Sequence, residues 1–241
     1  MADETGDPLA ETRDRLIEAA LPNVVFDGWG KEALDAALED TGQDAQMGAL
    51  AFPRGGVDMA LAFHDLMDRR LLEALEDTDL HAMRIRERVT YCVRARLELV
   101  AEHKDAVRRG ATLLALPPYA ADSARALWST ADIIWTACGD RSDDYNWYSK
   151  RAILSSVYSA TVLYWLGDES EGSADTWAFL DRRIENVMQF EKLKAQVKAN
   201  PMARMALTPL SQALSFIRPP HARPKNGGET GGGAGGETAD A

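Results

Sequence analysis

Residue types that make or break bonds are sparse in this chain. Its four histidines are His64, His81, His103 and His221, and none stands three residues after a glutamate, the spacing that lets paired helices hold a di-iron centre. No HExxH, P-loop or GxSxG string occurs, and no dinucleotide fingerprint opens a helix after a strand. The plentiful carboxylates are read as the solvated faces of acidic helices. The two cysteines, Cys92 and Cys138, each lie among apolar residues in a helical pattern, where a thiol behaves as a small core hydrophobe and not as half of a disulfide. The expectation is a chain with no catalytic residue, metal or cofactor of its own, whose chemistry is recognition.

The segment best built for recognition is GDRSDDYNWYSKR, Gly139 to Arg151. A charged loop leads into Asn146, Trp147, Tyr148, Ser149, Lys150 and Arg151 at the start of a helix. Consecutive helical side chains diverge by about 100°, so Trp147 and Tyr148 cannot both turn inward. One of them could cap the core, and the other should reach the surface. An exposed aromatic beside arginine is the composition of a docking hot spot.

The elements that would carry this segment are helical. With 241 residues, 46% of them hydrophobic and 27% charged, the chain supports one globular domain with a sizeable core. A net charge of -11 argues against a general embrace of nucleic acid, which needs a basic footprint. No strand-like alternation of useful length occurs, so the predicted fold class is all-α. Five segments follow from composition and periodicity: a disordered start over 1–8, short helices over 9–80, a helical domain over 81–199, an amphipathic helix over 200–218 and a disordered Gly-rich tail over 219–241. Within the domain, one long helix is expected from His81 to about Leu116, stopped by Pro117 and Pro118. Further helices are expected over about 120–138, 147–166 and 174–199. Leu127, Trp128, Ile134 and Trp135 recur at helical spacing on the first of these, and Leu154, Val157 and Tyr158 follow on the next. These seven are candidate walls of an apolar cavity, although each can also be read as core.

Two further patterns bear on partners. From Lys31 to Phe52 a helix, a turn at Gly42 and a short second helix have helix-turn-helix spacing. Glu39, Asp40 and Asp44 are negative there, however, and no Lys or Arg falls between Lys31 and Arg54, so phosphate contact is disfavoured. Near the C-terminus, a helical wheel gathers Met202, Met205, Leu207, Leu210, Leu214, Phe216 and Ile217 on one side, with Arg204, Ser211, Gln212 and Arg218 on the other. That arc can pack on the core or lie in a membrane surface, and the absence of acids favours the second reading. The uncharged run Ala152–Gly167 falls short of the roughly 20 apolar residues that span a bilayer, so any membrane contact should be peripheral. The opening MADETGDPLAETRD is neither a secretory signal nor a transit peptide in composition, which points to a cytoplasmic chain.

The run GDRSDDYNWYSKR, the preceding ALWSTADIIWTACGD and the following AILSSVYSATVLYWLGDES with TWAFLDRRIENV resemble the ubiquinone-biosynthesis accessory lipid-binding family, the ninth coenzyme Q biosynthesis protein family. The resemblance runs from about Leu9 to Phe190, is densest between Leu113 and Val187, and weakens over 200–218. It implies a TetR-like fold that has lost DNA binding, a homodimer, a pocket for an isoprenoid lipid or ubiquinone intermediate, and a C-terminal helix on the membrane. It also implies that Asn146, Trp147, Tyr148 and Arg151 dock the di-iron hydroxylase that acts on demethoxyubiquinone. The family often has threonine where Ser149 stands, another small hydroxyl. A bacterial chain of this kind would sit on the inner membrane's cytoplasmic side, and a processed eukaryotic one on the matrix side of the mitochondrial inner membrane. The alternative on the same fold is a TetR-type ligand-responsive transcriptional regulator.

Overall fold

The computed structural model describes residues 8–142 and 145–199, and every regular element among them is helical. Helix α1 (Pro8–Asp27) opens on a proline, whose missing N–H is no loss in a first turn, and buries Leu16, Ile17, Ala20, Leu21 and Val24 along one side. Helix α2 (Lys31–Thr41) ends at Gly42, which takes the left-handed conformation (φ 67°) while the Gln43 N–H donates to the Leu38 carbonyl at 2.8 Å. Asp44 then accepts from the Met47 N–H at 2.8 Å and starts α3 (Ala45–Ala51). The expected helix, turn and second helix are therefore present. Helix α4 (Gly56–Glu76) follows, its Gly56 so close to the Trp29 carbonyl that a Cβ there would overlap the oxygen.

The long helix expected from His81 to Leu116 is two helices. A 3-10 turn at Leu80–Ala82 precedes α5 (Ile85–Glu98), and a second at Ala101–His103 separates it from α6 (Lys104–Leu114). No glycine or proline marks this break. Val100 is buried at the bend, and the new direction of α6 brings Ala106 and Gly110 against Trp29, whose Nε1–H donates to the Ala106 carbonyl at 2.9 Å. The gain in tertiary packing outweighs the helical bonds given up at the bend. Ile85 is exposed, whereas Val89, Cys92 and Val93 are buried.

Helices α7 (Ala120–Ala137), α8 (Tyr145–Gly167) and α9 (Ala174–Ala199) lie close to the spans read from periodicity. Helix α1 packs on α2, α4 and α6; α4 reaches α5, α6 and α7; α7 packs on α8, and α8 on α9. One continuous apolar core joins them from Leu16 to Ile184, so the N-terminal helices share their interior with the rest. Cys92 and Cys138 are free thiols within that core. No helix of the described residues is long and apolar enough to cross a membrane. Residues 1–7, the amphipathic segment 200–218 with Met202, Met205, Leu207, Leu210, Leu214, Phe216 and Ile217, and the tail 219–241 lie outside the described residues.

Candidate functional site

The connection from α7 to α8 is organised by one carboxylate. Gly139 turns with φ 82°, the Asp140 N–H donates to the Trp135 carbonyl at 2.9 Å, and the Asp140 side chain is thereby held inward. It accepts from Lys150 Nζ at 2.6 Å, Ser142 Oγ at 2.8 Å and Arg151 Nη1 at 3.0 Å. Burial pushes the Asp140 carboxyl up, and those three donors more than offset it, leaving it below the ordinary carboxylate range. Arg151 is itself buried, at 2% exposure, and also bonds Asp132 and the Trp147 carbonyl.

On this ionic base rests an aromatic platform. The Arg151 guanidinium carbon lies 4.0 Å from the Trp147 ring centroid. Trp147 meets Tyr148 edge-on at 4.8 Å, and Trp128 of α7 lies 5.8 Å from Trp147 and 6.2 Å from Tyr148. Trp147 and Tyr148 are both half-buried, sharing the Trp128 ring between them, and Asn146 beside them is exposed. Thus Asn146, Trp147 and Tyr148 present surface, whereas Arg151 supports the platform from beneath. Arg151 follows Trp147 by four residues, which sets it directly below that ring on the helix.

Beside the platform lies a half-open cavity of about 250 Å³ between α4, α5, α6, α7 and α8, with walls that include Phe63, Val100, Leu127 and Val162 and polar contributions from His64, Arg96 and Tyr158. A second space, a groove of about 470 Å³, runs between α5, α7, α8 and α9 past Trp135, Leu154 and Val157 to Asn146 and Lys150. The seven expected wall residues are therefore divided. Leu127 and Tyr158 face the cavity, Trp135, Leu154 and Val157 line the groove, Ile134 is wholly buried in the core, and Trp128 belongs to the platform. Sequence spacing identified the apolar helices but not the side of each helix that meets a space.

The cavity has a polar wall that sequence reasoning missed. Arg96 Nε donates to Asp68 Oδ1 at 2.7 Å and its Nη2 to the His64 carbonyl at 3.1 Å, with both side chains of the ion pair 3% exposed. Thr130 Oγ1 donates to Asp68 Oδ2 at 2.9 Å and lies 2.8 Å from His64 Nε2, which also points at the Ala126 carbonyl. That carbonyl can only accept, so Nε2 carries the hydrogen. Burial lowers His64 from its ordinary value of 6.5 to about 4, so the ring is uncharged near neutrality. The available signal was positional: Arg96 follows Cys92 by four residues and Val93 by three, which puts it on the buried face of α5. Among the described residues no group of three or more His, Cys, Asp or Glu side chains is arranged to hold a metal ion.

This helical order defines a protein of the TetR-like fold class. A TetR transcriptional regulator from Nitrosomonas europaea superposes with a TM-score of 0.59 at 21% identity, over 73% of this chain and 97% of that one. The later helices carry a family likeness: residues 120–191, which include the platform, match the COQ9 family. Similar proteins include the mitochondrial ubiquinone biosynthesis protein COQ9 of Drosophila melanogaster, 30% identical over 77% of this chain and 58% of its own length. The Homo sapiens protein of the same name is 29% identical over 78% of this chain and 61% of its own, and the probable counterpart in Dictyostelium discoideum is 26% identical over 78% and 63%. The chain thus spans about three fifths of the length of the relatives it matches.

Proposed function

We propose that this chain is a non-catalytic accessory protein of ubiquinone biosynthesis, which holds an isoprenoid quinone intermediate and presents demethoxyubiquinone to the di-iron hydroxylase at a membrane surface. The observation that carries this reading is the adjacency of container and handle on α7 and α8. Leu127 is a wall of the cavity, and the next residue, Trp128, is the ring shared by Trp147 and Tyr148. A ligand entering the cavity is thereby one residue removed from the surface where a partner would dock. The names borne by the relatives support the pathway assignment.

In this reading the hydroxylase performs the oxidation and this chain contributes location. Asn146, Trp147 and Tyr148 form the partner-binding face, with Arg151 fixing the Trp147 ring. Met202, Met205, Leu207, Leu210, Leu214, Phe216 and Ile217 rest in the headgroup region, and two copies associate as a homodimer. The compartment is the cytoplasmic side of a bacterial inner membrane or the matrix side of the mitochondrial one. Nucleic acid is not a partner.

Quinone profiling of a strain lacking the gene tests the proposal. Demethoxyubiquinone should accumulate, and the unaltered gene should restore ubiquinone where Trp147→Ala restores little of it, with an interface truncation of this kind costing about 2 kcal/mol of docking. An unchanged quinone profile in the deletion strain would overturn the reading.

A further inference from the structure

The cavity's polar wall is almost fully committed to itself. Asp68 is taken by Arg96 and Thr130, the His64 N–H by Thr130 and Ala126, and the Ser159 hydroxyl by the Ser156 carbonyl. Besides the hydroxyl of Ser123, a half-buried residue of the same wall, two buried donors are left over. Neither the Tyr158 hydroxyl nor Arg96 Nη1 has a hydrogen-bond partner among the described residues, although Tyr158 is 3% and Arg96 2% exposed. Every fully enclosed side-chain nitrogen or oxygen of the described residues does have one. These two atoms are therefore not sealed in protein, and both residues line the cavity. A buried donor without an acceptor is costly, and a site holding one is built for a ligand that supplies the missing oxygen.

The charge of this wall narrows the ligand. Asp68 balances Arg96, and the His64 ring is uncharged, so no net positive charge remains to offset the desolvation of a carboxylate or phosphate. The fitting acceptor is a neutral carbonyl oxygen on an otherwise apolar molecule. The space of about 250 Å³ takes a ring and a short length of chain, and Leu163, 67% exposed, marks the mouth through which a longer tail would leave.

We propose that the Tyr158 hydroxyl, seconded by Arg96, donates a hydrogen bond to a ring carbonyl of a bound quinone and makes the cavity selective for carbonyl-bearing isoprenoids over isoprenoid hydrocarbons and acids. This rests on the cavity being the lipid container. Since the hydroxyl makes no hydrogen bond within the described residues, Tyr158→Phe removes no hydrogen bond of the fold, and its melting temperature should equal or exceed that of the unaltered chain. A purely structural role for the hydroxyl requires it to fall.

Equilibrium dialysis of the full chain against ubiquinone bearing two isoprene units, farnesene and farnesoic acid supplies the test. The unaltered chain should favour the quinone, and Tyr158→Phe should weaken quinone binding by about fivefold to tenfold with farnesene unchanged. Equal losses for quinone and farnesene, no loss for either, or tighter binding of farnesoic acid than of the quinone would overturn the anchor and leave the container standing. Uptake of neither quinone nor farnesene by the unaltered chain would overturn both. The infrared carbonyl stretch of the bound quinone gives a reading independent of any variant: a lower frequency than in hexane supports the hydrogen bond, and an unshifted one overturns it.

Discussion

At the scale of single residues, the chain places its charges where they organise hydrophobic features. Arg151 is the clearest case, buried beneath Trp147 and satisfied by Asp132, Asp140 and the Trp147 carbonyl. Replacing it with alanine leaves the Asp140 carboxylate buried and underpaired, so Arg151→Ala should cost about 3 kcal/mol in urea unfolding and release the Trp147 ring. Loss of hydroxylase binding in that variant with full stability would instead mean that Arg151 touches the partner directly. His64 makes the fold sensitive to acid. Its imidazole is held to about 4 in the folded chain, against 6.5 in the unfolded one. Between those values the unfolded chain binds the extra proton, so stability falls as pH drops from about 6.5 towards 4. Unfolding at pH 7 and pH 4.5 should differ by about 2–3 kcal/mol more in the unaltered chain than in His64→Gln. An identical pH response in the two proteins would refute the assignment. The buried Arg96–Asp68 pair beside His64 was not apparent from composition, because Arg and Asp are counted as surface residues until their register against Cys92 and Leu71 is followed.

At the scale of elements, periodicity was a good guide to the helices and a poor one to their bends. The boundaries of α7 and α8 and the start of α9 could be read closely because broad apolar faces end at polar or Gly-bearing junctions. The break at Ala101–His103 carries no such punctuation, since it is imposed by Trp29 docking on α6. The α2–α3 unit shows the converse: its helix, turn and short second helix have the spacing of a DNA reader, and its chemistry does not fit one. The cations that flank it are used internally, Lys31 on Asp35 and Arg54 on Asp58 and Asp122. The acids Glu39, Asp40 and Asp44 would face phosphate unopposed. A gel shift with genomic fragments at low salt should therefore show no discrete complex, and a salt-sensitive specific complex would restore the regulator alternative.

At the scale of the whole molecule, a chain of net charge -11 should approach an anionic membrane only through a local apolar or basic feature. The arc from Met202 to Ile217 is proposed for that role, and the alternative that it packs on the core is separable from it. In the full chain, joint replacement of Leu210 and Phe216 by glutamate removes two large apolar anchors, worth about 3 kcal/mol, and should cut vesicle binding by roughly a hundredfold. The melting temperature should be unchanged if the arc faces lipid and lowered if it faces the core. The central claim remains that the interior space is a container for an isoprenoid quinone. Extraction and mass spectrometry of the full chain purified from a ubiquinone-producing host tests it most directly. The account expects isoprenoid quinone in a substantial fraction of molecules, retained through washing, and protein free of any isoprenoid would contradict it.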